Sequence, residues 1–71
     1  MKLVINGKDA DINESLTVMQ LLAQENVRMP EMVSVELNGE ILKRPDFETI
    51  ALEDGDTVEF LYFMGGGHGI N

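Results

Sequence analysis

The chain has 71 residues, 44% of them hydrophobic, with 13 Asp and Glu against five Lys and Arg and a formal net charge of −8. That length holds one domain, which buries roughly 60% of the surface its unfolded chain exposes, and that hydrophobic fraction suits a packed core rather than disorder. The charge excludes phosphate backbones as partners, no run approaches the roughly 18 apolar residues of a membrane span, and the absence of Cys excludes disulfides, thiolate metal sites, iron–sulfur clusters and a cysteine nucleophile.

Lys2-Leu3-Val4-Ile5 reads as a first strand, and Asn6-Gly7 as a tight turn whose central residues tolerate positive φ. Ala10 and Ile12 then alternate with Asp9, Asp11 and Asn13 as a half-buried return strand, so the chain opens on a β-hairpin. A helix start follows. Thr17 is the predicted N-cap, Gln20 its capping-box partner, and Leu16 and Leu21 are spaced as a hydrophobic staple. The apolar stripe Val18, Leu21 and Leu22 predicts a helix from Val18 to about Asn26, with Gln20, Gln24 and Glu25 toward water and Met19 as core filler or partner contact.

Pro30 disfavours helix at Met29 and makes Val27 to Met32 a loop. Val33, Val35 and Leu37 alternate with Ser34 and Glu36 as a strand, Asn38-Gly39 repeats the tight turn, and Ile41-Leu42-Lys43 is a short return strand. Arg44-Pro45-Asp46 breaks that pattern. Asp46 is expected to cap one turn from Phe47 to Thr49, with Ile50 and Leu52 as apolar plugs beneath the loop. Glu53-Asp54-Gly55-Asp56 is an acidic turn that launches a last strand, Thr57-Val58-Glu59-Phe60-Leu61-Tyr62-Phe63-Met64, rich in β-branched and aromatic residues. Four glycines in the final seven positions suit neither helix nor strand. The division expected is a domain over 1–64 and a flexible Gly-rich tail over 65–71.

The order strand, strand, helix, strand, strand, short turn, strand predicts an α+β domain: a mixed sheet of about five strands with one main helix on one face. That is the order of the β-grasp, or ubiquitin-like, fold, in which the last strand lies beside the first, parallel to it, in the middle of the sheet. Period-2 alternation puts Val58, Phe60 and Tyr62 on the helix side, and Leu61 and Phe63 on the other. Apolar residues on an uncovered sheet face mark a partner surface; the competing arrangement packs Leu61 and Phe63 against the loop from Pro45 to Leu52. The excess of acid serves solubility or steers the chain toward a basic protein surface. No basic segment precedes a long apolar run, so no signal peptide is read and a cytoplasmic location is expected.

Asp54-Gly55-Asp56, an apolar strand and then a glycine pair resemble the C-terminal half of the ThiS family of sulfur carriers, and more loosely the MoaD small subunits of molybdopterin synthase. The family's terminal glycine pair falls on Gly66-Gly67. The resemblance implies a carrier protein that is a substrate and not an enzyme. An E1-like, ThiF-type enzyme would adenylate the terminal glycine carboxylate; a sulfur donor would displace AMP to leave a thiocarboxylate; and a ThiG-type acceptor synthase would take the sulfur, most plainly for the thiazole of thiamin. On this reading Gly67 bears the thiocarboxylate, Gly65 and Gly66 form a thread slim enough for a narrow channel, and Leu61, Phe63 and Met64 dock the partner.

The family pattern ends at the glycine pair, whereas this chain continues through His68, Gly69, Ile70 and Asn71. A processing metalloprotease is therefore expected to remove those four residues, and the sequence alone admits cleavage after Gly67 or after Gly66. His68 without a second His or Cys makes a poor metal site, and Gly65-Gly66-Gly67 lacks the helix and Lys of a phosphate loop, so neither metal nor cofactor is expected. The alternative functions are a β-grasp interaction or regulatory module without thiocarboxylate chemistry, or, by the looser resemblance, a MoaD-like small subunit of molybdopterin synthase.

Overall fold

In a computed structural model, residues 1–28 and 30–62 are described, Tyr62 by its backbone alone. Five strands form one sheet: β1 Lys2–Ile5, β2 Lys8–Asp11, β3 Val33–Leu37, β4 Glu40–Ile41 and β5 Thr57–Tyr62, in the spatial order β2-β1-β5-β3-β4. β5 runs parallel to β1 and antiparallel to β3, so the last strand occupies the centre, as the element order predicts. The one α-helix among the described residues, α1 Val18–Gln24, packs on one face, and the mixed sheet with its helix is the β-grasp arrangement. Among the described residues no helix is long and apolar enough to cross a membrane.

Local chemistry accounts for these elements. At both hairpin turns an Asn and a Gly take the left-handed conformation, Asn6 at φ 51° with Gly7 at 83° and Asn38 at 52° with Gly39 at 89°, which matches the twist of the flanking strands. At the start of α1 the Thr17 hydroxyl accepts the Gln20 N–H at 3.2 Å while the Gln20 side chain accepts the Thr17 N–H at 2.8 Å. Seven helical residues are too few to persist alone, so α1 depends on burying Val18, Leu21 and Leu22.

The helix stops at Gln24, two residues short of the predicted end. Asn26 turns left-handed at φ 59°, its N–H donates to the Ala23 carbonyl and the Val27 N–H to the Leu22 carbonyl, which satisfies the last carbonyls and folds Val27 back onto the core. Three other boundaries differ. β2 ends at Asp11 rather than Asn13, although Ile12 is buried as expected. The loop before β3 contains a 3-10 turn, Pro30–Met32. β4 is Glu40–Ile41, and the turn after it is a 3-10 helix over Arg44–Glu48 flanked by Lys43. Asp46 is therefore inside that turn and does not cap it; its carbonyl, not its carboxylate, accepts the N–H groups of Thr49 and Ile50.

The core lies between α1 and the sheet. Leu3, Ile5, Val33, Val35 and Val58 point up from the strands to meet Val18, Leu21 and Leu22, while Ile12, Leu16, Phe47 and Leu52 close the margins. Full burial of each such side chain contributes about 1.5–3 kcal/mol against leaving it in water. The plug predicted at Ile50 and Leu52 is present: the Leu52 N–H donates to the Leu16 carbonyl, the Val18 N–H to the Ile50 carbonyl, Leu52 is buried and Ile50 packs against the cluster. Met19 packs there too, as filler.

Candidate functional site

The site candidate is β5, its open face and the chain it launches. Val58 is wholly buried and Phe60 packs against the core, so alternation turns Thr57, Glu59 and Leu61 to the face that α1 leaves uncovered. Cross-strand register fixes their neighbours: Val4 stands opposite Thr57, Glu36 opposite Glu59, and Ser34 opposite Leu61, with Ile41 opposite Glu36 one strand further out. Leu61 is half-buried and lies outside the cluster that packs beneath α1, whereas Phe47 of the turn after β4 is inside it. Ile41 is 58% exposed and extends the apolar character of this face, a contribution that its reading as one more strand residue does not reveal. Phe63, Met64, Gly65, Gly66, Gly67, His68, Gly69, Ile70 and Asn71 lie outside the described residues.

Side chains pin β5 at its start and middle, and its neighbour β3 at its start. At the start of β5, the acidic turn is a knot of backbone bonds. The Asp54 carboxylate accepts the Lys2 N–H at 2.6 Å, the Gly55 N–H donates to the Lys2 carbonyl at 2.7 Å, and Asp56 Oδ2 accepts the Glu53 N–H at 2.8 Å. Asp56 Oδ1 also accepts from Asn38 Nδ2 at 3.0 Å, while Asn38 Oδ1 accepts the Thr57 N–H at 2.9 Å. The Asp-Gly-Asp sequence that carries the family resemblance is thus a device that ties the entry of β5 to β1 and to the second hairpin turn.

Further along, Asn6 Oδ1 accepts the Phe60 N–H at 2.8 Å from the other side. At the far end, Arg44 reaches over the start of β3, donating through Nη1 to the Pro30 carbonyl at 2.9 Å and through Nη2 to those of Glu31 at 2.6 Å and Val33 at 2.7 Å. Sequence reasoning takes Asn6 and Asn38 as turn formers only and Arg44 as part of a pattern break. Their partners are distant groups, mostly of the backbone, which leave no mark in the sequence.

What this geometry does is hold β5 in the middle of the sheet, between β1 and β3. The model of the ThiS family matches residues 3–67. The chain belongs to the ThiS family. The ThiS sulfur carrier protein of Bacillus subtilis is 35% identical over 66 residues, covering 92% of this chain and 98% of that protein. A crystal structure of the thiamine biosynthesis protein ThiS from Geobacter metallireducens superposes with a TM-score of 0.85 at 52% identity, covering 94% of this chain and all of that one.

A thiazole synthase of Paramagnetospirillum magneticum is 42% identical over 67 residues, 94% of this chain. The chain spans only about a fifth of the length of the thiazole synthases it matches. The ThiS-family match runs from Leu3, the first core residue of β1, to Gly67, so it takes in all five strands and the glycine run but not His68 to Asn71.

Proposed function

We propose that this chain carries sulfur for thiamine biosynthesis as a thiocarboxylate on Gly67, which a ThiF-type enzyme first activates. The observation that carries the reading is the extent of the family match: it covers the β-grasp body and ends on Gly67. The chemistry is a group transfer onto a backbone acid. The Gly67 carboxylate attacks the α-phosphorus of ATP and releases pyrophosphate; hydrosulfide supplied by a donor then attacks the acyl carbon of the mixed anhydride, AMP leaves, and the thiocarboxylate remains.

Every catalytic group belongs to the partners, so this chain acts as co-substrate rather than enzyme. Gly65 and Gly66 supply a thread without side chains. Three extended residues span about 10 Å, enough to take the terminus into an enclosed nucleotide site. Leu61, Phe63 and Met64 form the docking patch, whose burial offsets the entropy of ordering the thread. The likeness to part of a thiazole synthase supports a ThiG-type synthase as the acceptor of the sulfur. His68, Gly69, Ile70 and Asn71 follow the reactive position and are removed by a processing metalloprotease in the cytoplasm.

The test uses two versions of the chain, one ending at Gly67 and one running to Asn71, each mixed with a ThiF-type enzyme and ATP. The shorter chain is expected to form an acyl adenylate and release pyrophosphate, and the longer chain is not. Equal behaviour of the two, whether both react or neither does, overturns the reading.

A further inference from the structure

β5 is held unevenly along its length. From Thr57 to Phe60 it has neighbours on both sides, β3 on one and β1 followed by the Asn6 side chain on the other. At Leu61 and Tyr62 the pairing recorded among the described residues is with β3 alone, through Ser34 and Val33. The exit of the strand is therefore only as firm as the first two residues of β3.

Val33, the first of those residues, is buried in the core, and its carbonyl and the segment before it are held by one polar side chain. The Arg44 guanidinium bonds the carbonyls of Pro30, Glu31 and Val33, three acceptors within four residues, and sits 5.3 Å from the centroid of the buried Phe47 ring. The end of the 3-10 turn Pro30–Met32 leaves carbonyls without partners in their own turn, and a planar fork of charged donors satisfies several at once. A Lys ammonium on a flexible stem has no such fixed geometry. Pro30 cannot contribute an N–H to hold this segment by backbone pairing, and the guanidinium supplies polar ties to it from outside.

We propose that Arg44 is a positioning residue for the end of β5: by fixing the start of β3 it sets how firmly the strand is held at Leu61, and so how well the carrier is engaged for activation. The effect on activation rests on the function proposed above; the effect on the strand exit does not. Alternation of the β3–β5 ladder from the Asn38 N–H donating to the Thr57 carbonyl puts Ser34 and Leu61 at a mutually bonded rung, so their amides report on that exit.

The experiment compares the chain ending at Gly67 with its Arg44→Lys and Arg44→Met variants and with Ile5→Val, a core substitution away from the exit that lowers stability without touching Arg44. Amide hydrogen exchange and steady-state activation by a ThiF-type enzyme are both measured. For Arg44→Lys, exchange at Ser34 and Leu61 is expected to quicken about tenfold while Val4 and Val58 keep their protection. KM for the carrier is expected to rise several-fold with kcat little changed, and Ile5→Val is expected to leave both readouts at Ser34, Leu61 and KM as in the parent. Exchange at Ser34 and Leu61 no faster than at Val58, or an unchanged KM, overturns the proposal. Should the parent chain not be activated at all, the function proposed above fails, and exchange alone then decides whether Arg44 governs the strand exit.

Discussion

The side-chain oxygen of Asn6 accepts the main-chain N–H of Phe60 at 2.8 Å, across 54 positions of sequence. β1 and β5 run parallel, and the Asn6 N–H makes the preceding rung with the Val58 carbonyl. The next rung would ordinarily use the Asn6 carbonyl, but Asn6 is already turning at φ 51° and its side-chain amide stands in. One residue thus both makes the first hairpin turn and extends the parallel ladder to the middle of β5.

Replacing Asn6 by Gly separates the two roles. Glycine accepts the positive φ but offers no side-chain oxygen, so Asn6→Gly is expected to lower stability by about 1 kcal/mol, the worth of one hydrogen bond. Asn6→Asp keeps the acceptor and is expected to lose less. Urea unfolding of the three proteins decides it, and equal midpoints for Asn6→Gly and the parent would contradict the role.

Gly55 tests the acidic turn. A methyl group there would meet nothing within 4 Å, yet the backbone stands at φ +92°. Space is therefore not the issue, and Gly55→Ala is expected to cost about 1–2 kcal/mol through backbone strain alone. Thermal unfolding measures this; an unchanged Tm would show that the turn tolerates an ordinary residue.

The open face carries a built-in repulsion. Glu36 and Glu59 are directly opposed across β3 and β5, and the surrounding sheet positions are Ile41, Ser34, Thr57 and Leu61, none of them basic. Like charges so placed destabilise a sheet, so Glu59→Gln is expected to gain a few tenths of a kcal/mol at low salt. Screening should shrink the gain in 1 M salt, where the Debye length is about 3 Å. A loss of stability, or a gain indifferent to salt, would contradict the account.

How much of this could be read beforehand follows from the range of the forces involved. The two Asn-Gly hairpins, the capping box of Thr17 and Gln20 and the alternation of β3 and β5 rest on neighbours in sequence, and the structure contains each of them. Element order matched that of the β-grasp fold, and with it came the central position of β5 beside β1. Boundaries were less legible. The end of α1 depends on Asn26 adopting a left-handed conformation that asparagine only sometimes takes, and Asp46 looks like a cap until Pro45 moves the start of the 3-10 turn upstream of it. Least legible were Arg44 and the side chains of Asn6 and Asn38, whose partners are groups, mostly of the backbone, brought near only by the finished fold. Of the residues proposed to dock a partner, Leu61 lies on the open face as alternation predicts; Phe63, Met64 and the glycines lie outside the described residues.

The central claim is that Gly67 becomes the sulfur-bearing terminus. Its most direct test is the intact mass of the protein taken from its own cells. The account predicts a chain lacking His68 to Asn71 and heavier by about 16 mass units than that truncated acid, one sulfur in place of one oxygen. A protein that keeps all four residues wherever thiamine is being made, and never carries the added mass, would contradict it.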